Sequence, residues 1–214
     1  MSLASALNDV CRRAVDRLPV AGAVTHLMTP ADAVGVGPVA ASDARARSIG
    51  DLPFVAGVGP CHDAFQLRRP VLVGDLAAAA GRWPGYAEAA LDKGVRAVFS
   101  MPLQVGAVGL GVIDLHADTV GMLRPDDLAT AFALADEATH VLLTGTDDLT
   151  DAGLDEVVDH RAEIYQAQGA LVVALGVSLA DAMVIMRSHA FAAGLPLVAL
   201  AKQVLDGTSK PEDW

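Results

Sequence analysis

The chain is short of several things, beginning with uninterrupted hydrophobic sequence. Although 53% of its 214 residues are hydrophobic, no apolar run approaches the roughly 18 residues that a bilayer span needs, so a membrane-spanning protein is not expected. The stretch from Ser2 to Leu18 also lacks the basic, then apolar, then small-residue order of a secretory signal, because Asn8, Asp9, Arg12, Arg13, Asp16 and Arg17 are scattered through it. A cytoplasmic protein is expected. Cysteine is scarce: Cys11 and Cys61 lie far apart with no CxxC, which gives no disulfide framework and no zinc knuckle, and both read as free thiols. Positive charge is in deficit, with 15 Lys and Arg against 26 Asp and Glu and a formal net charge of −11. An acidic field of that size repels phosphate, so a broad nonspecific grip on nucleic acid is excluded and any such contact must be local.

Catalytic signatures are missing too. His26, His62, His116, His140, His160 and His189 follow no HExxH or facial-triad spacing, and no metal or cofactor is expected. Gly35 to Gly37 and Gly106 to Gly111 are too short and wrongly placed to cradle a phosphate before a helix. With no GxSxG context for a nucleophile either, the chain reads as something other than an enzyme.

What is present is periodicity. Leu3, Leu7, Val10 and Ala14 fall at helical spacing, stopped by Pro19 before a strand-like run from Ala21 to Met28. A second extended run is expected over Ala33 to Ala40, and the polar stretch from Asp43 towards Phe54 fits no pattern. From there the order is helix (Cys61 to Arg69), strand (Val71 to Gly74), helix (Tyr86 to Lys93) and a hairpin of Ala97 to Val105 with Leu110 to His116 around the glycines at 106 and 109. Pro125 and Asp126 open a long helix with Leu128, Phe132, Ala135, Ala138, Thr139 and Leu142 in its stripe. This sequence of elements predicts an α/β domain with a mixed sheet flanked by helices.

Thr144 to Glu156 is acidic and turn-prone, which places a linker at 146–156. Beyond it the periodicity is purely helical. Ile164, Ala167, Leu171 and Leu175 form one stripe ended by Gly176; Ser178 and Asp181 suit a helix start whose buried side is Ala182, Ile185, Met186 and Ala190; Leu197, Leu200, Ala201 and Val204 form a third short helix ended by Gly207. Three helices of about 45 residues are marginal alone, so this all-α module is expected to lean on the first domain or on a partner chain.

The residues Gly59-Pro60-Cys61, Pro70-Val71-Leu72-Val73, Asp75-Leu76, Arg82-Trp83-Pro84, Gly94-Val95-Arg96-Ala97-Val98-Phe99 and Met101-Pro102-Leu103 resemble actinobacterial GAF domains over 1–145. Tyr165-Gln166-Ala167-Gln168-Gly169, Gly176-Val177-Ser178-Leu179-Ala180-Asp181-Ala182 and Arg187-Ser188-His189-Ala190-Phe191-Ala192 resemble the three-helix ANTAR module over 157–207, with 208–214 as a tail. In this order they resemble GAF-ANTAR transcription antitermination regulators. The resemblance implies a GAF-like sensor that takes a small-molecule or protein signal, and an output module that recognises hairpin RNA in a nascent leader transcript and keeps a terminator from forming, commonly as a homodimer. Where the family carries more positive charge, this chain has Gln168, Gly194-Leu195-Pro196 and an acidic tail from Asp206 to Trp214. The alternative is therefore a protein-interaction or dimerisation regulator whose ANTAR-like module has lost RNA binding.

Within that frame Arg187 offers a planar donor fork for phosphate or base, with His189 and Lys202 adding charge beside it; an ion pair of Arg187 with Glu163 or Asp181 is the competing role. Gln168 suits a base edge and Tyr165 a stacking platform, though both residue types also occur as plain surface on amphipathic helices. In the first domain, Cys61 falls at a helix start, where the dipole favours a thiolate that could sense oxidants, while burial would oppose it. Trp83 is read as a loop anchor or, secondarily, a ligand contact.

Overall fold

The computed structural model describes residues 2–28, 38–144, 152–195 and 197–214, with 152–161 described by their backbone alone. The chain divides into two compact units, Met1–Leu154 and Asp155–Trp214.

The first unit opens with α1 (Leu3–Arg17), whose start is capped by Ser2, its hydroxyl accepting from the Ser5 amide at 3.1 Å. The expected stripe is buried, with Cys11 added to it. The strands are β1 (Gly22–Leu27), β2 (Pro38–Ala41), β3 (Val71–Val73), β4 (Ala97–Val105) and β5 (Val108–Ala117), in the spatial order β2-β1-β5-β4-β3. Every pairing is antiparallel, where a mixed sheet was the expectation. The reason lies in the polar stretch that fitted no pattern. It forms α2 (Ala44–Gly50), capped by Asp43, and α3 (Leu52–Ala56), and with α4 (Pro60–Leu67) these carry the chain across one sheet face, from one edge strand to the other. Of the extended run expected at Ala33 to Ala40, the part before Pro38 lies outside the described residues.

The β4–β5 hairpin turns at Gly106 and Ala107, and Gly109 sits inside β5. A Cβ at Gly109 would fall 1.9 Å from Nη1 of Arg68, the left-handed residue that ends α4 with its guanidinium 5.0 Å from the centre of the Phe65 ring. A side chain there would have to push the Arg68 guanidinium and the edge of the Phe65 ring aside.

Strand alternation sorts the sheet into two faces. On one, α1 packs against β1 and β2 while α6 (Pro125–Thr144) packs against β4 and β5. On the other lie α2 and α4, with α5 (Tyr86–Asp92) beyond α3. The buried stripe of α6 is Asp127, Ala131, Leu134, Ala135, Ala138, Thr139 and Leu142. From Ala135 on it is the expected stripe; before that Asp127, Ala131 and Leu134 replace Leu128 and Phe132, leaving Phe132 43% exposed, because Ala131, Ala135 and Ala138 permit a close approach that a phenyl ring would block.

In the second unit, α7 (Ala152–Leu175) begins inside the stretch read as linker; 145–151 lie outside the described residues. Gly176 and Gly194, both at positive φ, end α7 and α8 (Leu179–Ala192), and α9 (Leu197–Leu205) follows. The axes of α7 and α8 differ by 106°. Ile164, Ala167 and Leu171 are buried, with Ala182, Met183, Met186 and Ala190 of α8 and Leu197, Leu200, Ala201 and Val204 of α9. Met183 takes the buried place expected for Ile185, and Leu175 is half-buried at the helix end. No single helix among the described residues is long and apolar enough to cross a membrane.

Candidate functional site

The inner face of the first unit, under α4, is more polar than a sheet interior ordinarily is. Register aligns Val24 with Asp114, His26 with Val112, Ser100 with Asp114 and Val98 with His116, so His26, Ser100, Asp114 and His116 share that face. All four are buried, and Ser100 Oγ and His116 Nε2 have no hydrogen-bond partner among the described residues. Nε2 of His26 stands 3.3 Å from Oδ2 of Asp114. Burial pulls the His116 imidazole from 6.5 down to about 4, with the Asp114 carboxylate acting in the opposite direction.

From the opposite layer, α4 brings Cys61 onto these residues. Its Sγ lies 3.9 Å from Nδ1 of His62, and its donor atom, with those of His26 and Asp114, falls within 4.8 Å of the others. Cys61 is 2% exposed, and burial first, then the Asp114 carboxylate, push its thiol well above 9.0. The helix start does not activate this cysteine, because desolvation outweighs the dipole of an eight-residue helix. Tyr86 is held neutral by the same burial and the same carboxylate. Trp83 is 2% exposed; its indole N–H donates to Asp63 at 3.1 Å, Arg82 pairs with that carboxylate at 2.7 Å, and the Arg82 guanidinium lies 4.6 Å from the indole centre. This is a loop anchor of the expected kind, completed by a hydrogen bond.

The residues singled out in the second unit are dispersed in role. Tyr165 is exposed on α7. Gln168, expected to read a base edge, is buried and gives its amide hydrogen to the Leu179 carbonyl at 2.7 Å, so the bond turns it inward. Arg187 is half-buried; desolvation lowers its pKa and the neighbouring Tyr165 opposes the shift, although a guanidinium stays charged throughout. His189 is stacked on Trp214, ring centres 4.2 Å apart and planes 10° from parallel. Lys202 is exposed and lies 3.6 Å from Glu163. Asp181, the other carboxylate considered for Arg187, accepts the Ser178 hydroxyl at 2.6 Å.

Sequence reasoning passed over His26 and Asp114 because the spacing of histidines along the chain says nothing about neighbours across a sheet. The available signal was polar residues at inward positions of otherwise apolar strands.

The GAF domain family model matches residues 1–142. The chain belongs to the GAF domain family. An ANTAR domain model matches 152–205, so a GAF and an ANTAR domain stand in one chain. GAF domains are sensors and ANTAR domains are RNA-binding antiterminator modules; both are regulatory. Among solved structures, the GAF domain region of a putative membrane protein from Geobacter sulfurreducens aligns with TM-score 0.54 and 16% identity, over 66% of this chain and 93% of that one. The GAF domain of a phosphoenolpyruvate-protein phosphotransferase from Coxiella burnetii aligns with TM-score 0.53 and 17% identity, over 70% and 88%. The type II free methionine-R-sulfoxide reductase of Thermoplasma acidophilum aligns with TM-score 0.50 and 15% identity, over 65% and 91%. At these identities the likeness concerns the GAF fold alone. No curated protein matches the chain.

Proposed function

We propose that this GAF protein is a non-catalytic, cytoplasmic, signal-responsive regulator that binds hairpin RNA in nascent transcripts and prevents transcription termination, acting as a homodimer. The observation that carries the reading is the succession of a sensor domain over 1–142 and an ANTAR domain over 152–205. In this reading the GAF domain takes a small-molecule or protein signal and changes how the C-terminal helices are presented. Exposed Tyr165 stacks on an unpaired base, Arg187 and Lys202 meet phosphate, and His189 supplies a second stacking face. Gln168 acts indirectly by holding α7 against the start of α8. The test is binding of a short twin-hairpin RNA at moderate salt by the full chain, with Arg187→Ala alongside. Binding by the unaltered chain that weakens in Arg187→Ala supports the reading, and no binding at micromolar protein overturns it.

A second reading is a protein-interaction or dimerisation regulator whose ANTAR domain has lost RNA binding. It draws support from apolar exposure on α8, where Val184 and Phe191, two turns apart on one face, are 58% and 76% exposed. A chain that dimerises and binds no hairpin RNA belongs to this class.

A further inference from the structure

We propose that His26, Cys61 and Asp114 form a buried site for a divalent transition-metal ion of the zinc type. The inference does not rest on the RNA reading.

Position comes first. His26 and Asp114 project from adjacent strands onto one face of the sheet, and Cys61, next to Pro60 at the start of α4, meets them from the covering layer. The three donor atoms lie within 4.8 Å of one another, and the side chains are 3%, 2% and 6% exposed. Two light-atom ligands about 2.0 Å from a tetrahedral ion stand about 3.3 Å apart. That is the 3.3 Å separation of His26 Nε2 from Asp114 Oδ2. A thiolate at about 2.3 Å from the ion would sit about 3.5 Å from the other two donors, so the cluster closes with a side-chain movement of about an ångström.

Two atoms of the cluster are also unspent, while the Cys61 thiol lies against His62 Nδ1 and the Asp114 carboxylate. Despite their proximity, His26 Nε2 makes no directed hydrogen bond, and Asp114 Oδ1 has no hydrogen-bond partner among the described residues. Buried polar atoms of a native protein ordinarily find partners, and here two such orphans belong to neighbouring side chains of the cluster.

Charge points the same way. His26 is the one nitrogen base within 4 Å of the Asp114 carboxylate among the described residues. A divalent ion bound by a carboxylate, a thiolate and a neutral imidazole leaves the set uncharged, which a low-dielectric interior favours. Binding replaces the Cys61 S–H bond with a metal–sulfur bond and releases that proton to solvent, with no change of oxidation state. One sulfur, one nitrogen and one oxygen donor suit zinc-like ions better than magnesium or calcium, which prefer all-oxygen sets. Three protein ligands leave a fourth position for water or an incoming signal molecule.

The experiment uses the full chain stripped with a chelator and titrated with Co²⁺, followed by Zn²⁺. The expected result is one equivalent of Co²⁺ with visible bands of a four-coordinate ion and a near-ultraviolet thiolate-to-cobalt band, all removed by Zn²⁺. Cys61→Ser loses the thiolate band and His26→Ala loses stoichiometric uptake, while Cys11→Ser, altered on the opposite sheet face, keeps both. Substoichiometric uptake by the unaltered chain at micromolar concentration overturns the site regardless of how any variant folds. So does a thiolate band that persists in Cys61→Ser or disappears in Cys11→Ser.

Discussion

The side-chain amide of Gln168 donates to the backbone carbonyl of Leu179 across 2.7 Å, tying the middle of α7 to the first turn of α8 where the two helices cross at 106°. Gln168→Ala removes the donor and leaves a hole at a buried position. A loss of about 1–2 kcal/mol is expected for the C-terminal unit, read as faster amide exchange in α7 and α8 with the exchange of β4 and β5 unchanged. Equal acceleration in both units would argue against a local tie.

RNA binding should carry a small ionic footprint. Each phosphate contact contributes about −0.7 to the slope of log affinity against log salt for single-stranded RNA. Lys202, now beside Glu163, is expected to contribute one such contact. Lys202→Ala should therefore weaken hairpin binding and make the slope shallower by about 0.7. Binding isotherms at several salt concentrations check both numbers.

His189 and Trp214 occupy each other's ring faces at 4.2 Å. A base that stacks on His189 must displace the indole, so Trp214→Ala should tighten hairpin binding severalfold, whereas His189→Ala should weaken it. Parallel titrations of the two variants decide this, and identical affinities would remove His189 from the interface.

The apolar face of α8 invites a charge. If dimers form through Val184 and Phe191, Phe191→Asp places a carboxylate in the contact and should shift the protein to monomer in analytical ultracentrifugation. The helical content should be unchanged, because Phe191 is 76% exposed and supports no core.

Cys11 provides a pH signature of the outer sheet face. Burial raises its thiol from 9.0 to about 11, and the Thr25 hydroxyl 3.4 Å away recovers part of that. The unfolded chain loses this proton at lower pH than the folded one, so the associated stability is complete below pH 9 and disappears as pH rises towards 11. About 2–3 kcal/mol is at stake by linkage. Urea titrations across that interval should show the decline, and Cys11→Ala should flatten it.

Much of this was legible along the chain. The helical stripe of α1, the hairpin strands and all four buried positions of α9 followed from period alone, since each segment faces its core on one side. The second half of the α6 stripe was also legible, but its first half was misplaced because Phe132 outweighs an alanine in hydrophobicity while alanine fits the close approach better. Of the two short helices after Asp43, α2 was hidden by its polar content, with Ala46, Ile49 and Gly50 as its buried side, and α3 by its five-residue length, though it buries Pro53 and Phe54. Local signals also fixed the N-cap at Ser178, whose hydroxyl accepts from the Asp181 amide at 3.1 Å. The convergence of His26, Cys61 and Asp114 is different in kind. It depends on which strands are neighbours, and no local period encodes that.

The strand order β2-β1-β5-β4-β3 also sets a timetable for a chain leaving the ribosome. The β4–β5 hairpin closes locally and can form early, but β1 must wait for β5, from the far end of the domain's sequence, before it has its inner neighbour. During that interval β1 holds its partnering edge open, and His26 and Asp114 are still apart. The sensor therefore acquires its central ladder and its inner polar cluster in a single late event, once β5 has been synthesised and with only α6 of the domain still to come.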